Sequence, residues 1–385
     1  MKKIINNKKY ILFVFLSCVF FASCNDPIFH QIELEVEPLQ AKIPGSPSKI
    51  VSNEGADKLY TANGKLWGWD NKTDAWSEIS TTFKTARDVA YVKHSNAEVL
   101  YALSVGGSST KIYAQKQDAN ASNAAWAPIE SPQNYTVQSI FGAYGATGGG
   151  AAKGAFFACA SNAANEFAVY YIENPGDSLK PIDGFKERIF GAAFFNGKYY
   201  FAANNGVYQS GDLTAATRID EGTEEDPGTK DKQWMNIVSG EVKGIPVLAA
   251  TSRDGFVYLK NVSGKPSIKQ KEDSYVFTSA LCFWTGGDAF YLLCGIQGSS
   301  YTNGYREIKL TLENGVVKLD AYGQPAASVE NTEKYSSTIG IRALNSIFMP
   351  AQPEAYKDAA RPLVFASTQQ NGLWSYRGIW NAAEK

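Results

Sequence analysis

Tyr199-Tyr-Phe-Ala-Ala-Asn-Asn205-Gly206-Val-Tyr208 reads as a strand, a tight turn and the start of a second strand. Tyr and Phe favour a pleated, half-buried surface. Asn-Gly populates the positive-φ pair that a two-residue hairpin needs. The same punctuation returns at Asn63-Gly64, Asp254-Gly255, Asn303-Gly304 and Asn371-Gly372. Runs such as Lys58-Leu-Tyr-Thr-Ala62 and Leu363-Val-Phe-Ala-Ser367 precede the turn, and Leu66-Trp67, Val257-Tyr258 or Leu373-Trp374 follow it. One hairpin is a weak signal. Recurrence at intervals of roughly 40–70 residues is a repeat, and in an all-strand chain that period points to a β-propeller.

Working outward, seven units of three or four strands follow one another from Lys49. The strands before the turn start near residues 59, 99, 156, 199, 247, 290 and 363. Their mean spacing is about 50 residues, near the kelch period and above that of WD40 repeats. A second recurrence has a different register. A residue is followed three later by Ile at Trp76/Ile79, Trp126/Ile129, Leu179/Ile182 and Ala216/Ile219, which marks a fourth strand. The predicted fold is all-β, a propeller of about seven four-stranded blades, with six or eight as alternatives. A β-sandwich pair or a β-helix is the competing architecture, but a sandwich predicts no such repeat. Ala62, Ala102, Ala158, Ala202, Ala250 and Ala366 recur in six units and are expected on inner strands crowding the axis. Val105-Gly-Gly-Ser-Ser109 and residues 161–165 are expected to lack the tight turn. The unit resembles the degenerate Asn/Asp-Gly-x-aromatic hairpins of several bacterial propeller families, a match to the class and to no particular member. The domain is expected over residues 49–385.

The first residues read as a targeting segment. Lys2, Lys3, Lys8 and Lys9 form a basic region, residues 10–21 an apolar run too short to span a bilayer, and Ala22-Ser23-Cys24 a small-residue cleavage site. This resembles the lipobox of bacterial lipoproteins, with Phe21 where leucine is usual and Ser23 where glycine or alanine is commoner. The resemblance implies a signal peptide over residues 1–23, removed before Cys24, and lipid on the Cys24 thiol. The lipid would hold the protein to the cell envelope, most naturally the outer membrane. Residues 24–48 then form a tether, punctuated by Pro38, Pro44 and Pro47. The alternating Ile32-Glu33-Leu34-Glu35-Val36 is an optional strand that would close the ring.

Charge and composition exclude several classes. The 385 residues hold 37 basic and 38 acidic side chains, a net charge of −1, so no nucleic-acid partner is expected. The two histidines, His30 in the tether and His94 in a polar turn, are expected at the surface, and Ser-His chemistry is not expected. Cys159, Cys282 and Cys294 lie in apolar runs and read as buried thiols. A Cys282–Cys294 disulfide stays open, because a two-residue turn at Gly286-Gly287 would set Cys282 opposite Tyr291. No spacing predicts a metal or cofactor. The acidic residues 220–231 lack the spacing of a known calcium loop and read as solvated.

Asp57, Asp88, Asp183, Asp254 and Asp288 lie near strand ends, where Asp serves turns by bonding its own backbone. A pair of them in a channel would suit glycoside hydrolysis. Whether Arg87, Arg188, Arg253 and Arg342 face the axis is not decided by sequence. The binding candidates are aromatic: Trp67 and Trp69, two residues apart on one strand face, and Trp374, Tyr376 and Trp380 near the C-terminus. Such groups stack on sugars or grip a partner, and blade packing uses them equally. The expected function is a membrane-anchored, non-catalytic binding or scaffolding module for an envelope protein or glycan. The alternatives are a glycan-active hydrolase with channel carboxylates and a structural envelope component.

Overall fold

In the computed structural model the chain separates into residues 1–40 and 41–385. The structure describes residues 43–95, 97–107, 109–117, 125–143, 154–219, 228–262, 266–270, 276–286, 289–297, 304–319, 343–353, 363–376 and 380–382. Cys24, the signal and the optional strand at 32–36 lie outside them, as do the acidic segment 220–227 and Arg342.

The fold is a seven-bladed β-propeller, each blade a four-stranded antiparallel sheet of consecutive strands. Blade 1 is β1 (Val51–Ser52), β2 (Lys58–Asn63), β3 (Lys65–Asp70) and β4 (Ala75–Ile79). Blade 2 is β5 (Ala86–Lys93), β6 (Glu98–Gly106), β7 (Ser109–Lys116) and β8 (Ala127–Ile129). Blade 3 is β9 (Thr136–Ala143), β10 (Ala155–Ser161), β11 (Phe167–Ile172) and β12 (Lys180–Ile182). Blade 4 is β13 (Ile189–Phe195), β14 (Lys198–Ala203), β15 (Gly206–Ser210) and β16 (Thr217–Arg218). Blade 5 is β17 (Trp234–Val242), β18 (Ile245–Ser252), β19 (Phe256–Asn261) and β20 (Ser267–Gln270). Blade 6 is β21 (Val276–Gly286), β22 (Ala289–Gln297), β23 (Gly304–Glu313) and β24 (Val316–Leu319). Blade 7 is β25 (Leu344–Phe348), β26 (Val364–Thr368), β27 (Leu373–Tyr376) and β28 (Trp380–Ala382). The first strand of each blade is innermost, and successive first strands from β1 to β25 touch around the axis.

Both faces of a blade are covered by its neighbours, so its strands are apolar on both sides. Every residue of β10, Ala-Phe-Phe-Ala-Cys-Ala-Ser, is buried. The buried apolar residues fall into seven clusters, and each cluster straddles one seam between adjacent blades. Strand alternation sends successive residues to opposite seams. Leu281 is opposite Cys294 and Cys282 is opposite Leu293. Cys294 therefore packs in the seam of blades 5 and 6, and Cys282 in that of blades 6 and 7. Both thiols are free, as is Cys159. The register differs from the expected one because the turn lies one residue later, with Gly286 opposite Ala289.

The recurring turns mark the right strands, but their backbone differs from the expectation. Gly64, Gly255 and Gly372 take positive φ of 70°, 85° and 82°, whereas their Asn and Asp neighbours do not. The positive-φ pairs occur instead at Asn196-Gly197, Lys243-Gly244 and Asn314-Gly315. The repeated Asn or Asp acts as a post for the chain that enters a blade. Asn63 Nδ2 donates to the Pro44 carbonyl, the Asp231 amide donates to the Asn205 carbonyl, and the Gln233 amide donates to Asp254 Oδ2. Blade 2 does hold a tight turn, with Gly106 opposite Ser109 and Gly107 at φ 63°. In blade 6 six residues, 298–303, separate β22 from β23, and Asn303 lies outside the described residues.

Ring closure uses the entering chain. Ile43 is fully buried among Leu363, Phe365 and Leu373 of blade 7 and Trp69 and Trp76 of blade 1. The Leu373 amide donates to the Ile43 carbonyl at 3.0 Å, and the Gly372 amide to the Gly45 carbonyl at 2.7 Å. Ser367 Oγ donates to the Ser48 carbonyl at 2.9 Å.

Candidate functional site

The inner strands surround a central channel with a cavity of about 710 Å³, to which all seven blades contribute. The repeated alanines are one strand further out. Ala102, Ala158, Ala202, Ala250 and Ala366 pair with inner-strand residues and are buried in seams, which corrects their expected place at the axis. A small side chain is needed there because blade faces approach closely. The first strands all run in the same sense, so the channel has distinct ends. Around their N-terminal ends it is lined by polar groups such as Arg87, Gln138, Arg188, Ser279 and Asn345. Around their C-terminal ends it is lined by Phe141, Phe283, Phe348 and Met349.

Bulges shape the polar mouth. Pairing with the second strand slips between Ala86 and Asp88, between Val137 and Ser139, between Ile189 and Gly191, and between Leu344 and Ser346. A bulge leaves one residue unpaired and re-aims its side chain. The residues so released are Arg87, Gln138, Phe190 and Asn345, all lining the channel.

Polar residues at or beside several of these bulges tie blades together. Asp88, expected in a turn role, is instead inside β5 and 8% exposed. Lys49 Nζ of blade 1 donates to its Oδ1 at 2.5 Å and sits over the Phe141 ring at 4.9 Å. The Val89 amide donates to Oδ1 at 2.9 Å, and the Ile140 amide of blade 3 to Oδ2 at 3.0 Å. Asn236 Nδ2 donates to the Ser279 carbonyl at 2.7 Å, and Ser279 Oγ to the Asn345 carbonyl at 2.7 Å. Asn345 Nδ2 reaches Ser46 Oγ and the Pro47 carbonyl, and the Ile50 amide donates to Ser346 Oγ at 3.0 Å.

Charge is unevenly spent. Among the described residues the lining holds Lys49, Arg87 and Arg188 against one carboxylate, Asp88. Lys49 is paired with Asp88. Arg87 and Arg188 are exposed and form no ion pair among the described residues, and Arg188 lies over the Phe190 ring at 5.1 Å. The mouth is thus cationic in a chain of net charge −1.

The aromatic candidates are dispersed. Trp69 is 1% exposed, with its ring edge-on to Phe365 at 5.3 Å and Nε1 donating to Asp74 Oδ1 at 3.1 Å. Trp67 is half-buried against the same seam of blades 7 and 1. Trp374 is 5% exposed in the seam of blades 6 and 7, its Nε1 donating to the Asn371 carbonyl. Tyr376 and Trp380 are opposite one another across β27 and β28. Their side chains, like Cys24, lie outside the described residues. Arg253 is exposed on the turn after β18 and does not line the channel.

His94 is not at the surface. It is 1% exposed, with Nδ1 2.7 Å from the Glu173 carbonyl and Nε2 2.8 Å from Tyr101 Oη. Burial lowers its pKa and raises that of Tyr101. The neutral ring therefore donates from Nδ1 and accepts the phenol proton at Nε2. Burial also pushes the Cys159 thiol up to about 11 and that of Cys282 up to about 12, as fits inert thiols. Among the described residues no group of three or more His, Cys, Asp or Glu converges as a metal site. Of the site residues, the arginines were visible as candidates. Lys49, Gln138, Ser139 and Asn345 carry no sequence signal, because a bulge leaves no mark on composition.

No protein-family model matches the chain, and no curated protein matches it. Among solved structures, YCF48 bound to D1 peptide is similar, with 12% identity over 89% of this chain and 96% of that one, at a TM-score of 0.50. The computationally designed Ika8 protein has 11% identity over 88% and 98%, at 0.44. BBS1N in complex with ARL6DN has 12% identity over 86% and 92%, at 0.49. At these identities the likeness is one of fold.

Proposed function

We propose that the protein is a lipid-anchored envelope module that binds a protein partner at the polar mouth of its propeller channel. On this reading residues 1–23 export the chain, Cys24 carries the lipid, the expected tether of 24–48 leads to the ring with its last residues, 43–48, built into the closure, and the outer membrane holds it. The basic, apolar and small-residue order before Cys24 supports the anchor. The observation that carries the binding role is the mouth, where two exposed guanidiniums and several amides and hydroxyls rim a cavity of about 710 Å³. That volume lies within the roughly 300–1,000 Å³ of ligand-holding sites. YCF48, alike in fold, is a propeller bound to a peptide, which supports the same use of this ring. A hydrolase reading needs two free carboxylates. The one carboxylate on the described lining, Asp88, already accepts from Lys49 and two backbone amides.

A photo-crosslinking amino acid at Gln138, in cells, tests the partner. The expected result is a discrete protein adduct, absent when the crosslinker replaces Lys243 on a strand turn elsewhere. Adducts to glycan only, or none, would overturn the protein reading. Labelled palmitate should enter the wild-type chain and not Cys24→Ala, and the wild type should fractionate with the outer membrane.

A further inference from the structure

The ties around the channel are not equally complete. Blades 1 and 2 are joined by Lys49 and Asp88, blades 2 and 3 by Asp88 and the Ile140 amide, blades 5 and 6 by Asn236 and the Ser279 carbonyl. Ser279 joins blades 6 and 7, and Asn345 and Ser346 join blade 7 to the entering chain and blade 1. Between blades 4 and 5, Asn236 Oδ1 lies so close to Gly191 that a Cβ there would overlap it. Between blades 3 and 4, no side-chain hydrogen bond joins β9 to β13 among the described residues.

That seam has its own residue at the tie position. Ser139 follows the bulge in blade 3 as Asp88 does in blade 2. Its hydroxyl is buried and has no hydrogen-bond partner among the described residues. A buried polar atom left without a partner costs about 1–3 kcal/mol and calls for an explanation. The neighbours explain what would satisfy it. Arg188 stands at the start of β13 across the seam, and Arg87 and Gln138 occupy the bulges of blades 2 and 3. Both guanidiniums lack an ion pair among the described residues.

We infer that the seam of blades 3 and 4, at the polar mouth, takes a carboxylate from a peptide segment of a protein partner, the ligand's carboxylate supplying the tie that Asp88 supplies one seam earlier. This deepens the binding role proposed above and rests on it. Arg188 and Arg87 hold the carboxylate by charge-assisted hydrogen bonds, for which the planar guanidinium is suited. Ser139 Oγ donates the remaining one. The rest of the segment runs into a cavity whose far end is apolar and aromatic, with Phe141, Phe283, Phe348 and Met349. A peptide carrying an acidic group and apolar side chains matches both ends. An acidic sugar matches the first end and offers only a ring face to the second.

The test is a selection of displayed random heptapeptides with free C-termini on the folded protein, followed by fluorescence anisotropy with the winning sequence. The expected winners carry Asp or Glu, or depend on the terminal carboxylate. Converting that carboxylate to an amide should weaken binding at least about tenfold, as should Arg188→Gln or Arg87→Gln. Raised salt should weaken it further. Ser139→Asp is the decisive variant, because it fills the vacant tie itself. It should abolish peptide binding while the melting temperature holds or rises, which separates a filled site from a misfolded ring. No acidic preference, unaltered binding by Arg188→Gln, or normal binding by Ser139→Asp would overturn the inference. Uronic acid oligosaccharides binding where no peptide does would overturn the choice of peptide. Crosslinking at Gln138 that survives Arg87→Gln and Arg188→Gln would leave the binding role standing and sink this site alone. Peptide binding in vitro with no cellular protein adduct would do the reverse.

Discussion

Single side chains at this axis carry effects out of proportion to their size. Asp88 holds a lysine and two backbone amides from three blades at once. Asp88→Ala would leave Lys49 unpaired and the Ile140 amide without its acceptor. Breaking a buried pair on one side costs about 3–5 kcal/mol. Lys49 keeps a quarter of its side-chain surface exposed, so a loss of about 2–3 kcal/mol in chemical denaturation is expected. A loss within error would show that the tie is idle. His94 gives a pH signature. Its neutral form is favoured in the fold by burial, so its folded pKa lies below the unfolded value of about 6.5. The unfolded chain then binds the extra proton first as pH falls. The stabilisation is complete above about pH 7 and is lost as pH drops through about 6.5 towards the folded value. Melting temperature should therefore fall between pH 7.5 and 5, and His94→Gln should flatten that slope while lowering stability at pH 7.5. Sequence showed neither role. A lone Asp in Ala-Arg-Asp-Val and a His between Lys and Ser read as turn and surface residues, since their partners are up to 79 positions away.

At the scale of strands, backbone approach decides which glycines matter. Gly142 on β9 is so close to β5 that a Cβ would overlap the Tyr91 carbonyl oxygen. The obstacle is backbone, so it cannot swing aside. Gly142→Ala should cost about 1–3 kcal/mol by overpacking, seen as a lower denaturation midpoint. Gly106, at the end of β6, has nothing within 4 Å of the same added atom and is not at positive φ. Gly106→Ala should lose nothing and can gain a few tenths by restricting the unfolded chain. Equal effects at both sites would refute the close-approach account. The strand boundaries were legible because Asn-Gly and Asp-Gly turns and the quieter x-x-x-Ile register both repeat. The turn conformations were not, since the Asn or Asp is retained for hydrogen bonds to the entering chain that sequence does not display.

For the whole ring, the weak point is where its two ends meet. Residues 43–48 cross that seam, and Ile43 is its buried plug. Ile43→Ala should cost about 2–5 kcal/mol, as a cavity between blades cannot collapse far. A chain beginning at residue 49 should melt well below one beginning at residue 43, and equal melting curves would show that the clasp contributes nothing. The amino-acid order alone pointed to the all-β class, a propeller of about seven blades and most of its inner strands, because local propensity and a period of about 50 residues are written along the chain. It also held the aromatic pairs, but not their fate: Trp69 and Trp374 fill seams because a blade has no free face once the ring closes. Only the tertiary structure decided that Arg87 and Arg188 stand at one channel mouth beside a buried Ser139, with no ion pair for the arginines and no hydrogen bond for the serine hydroxyl among the described residues. Those residues come from three blades, and what brings them together is closure of the ring and the slip of a bulge, both of which are long-range packing outcomes that no local stretch encodes.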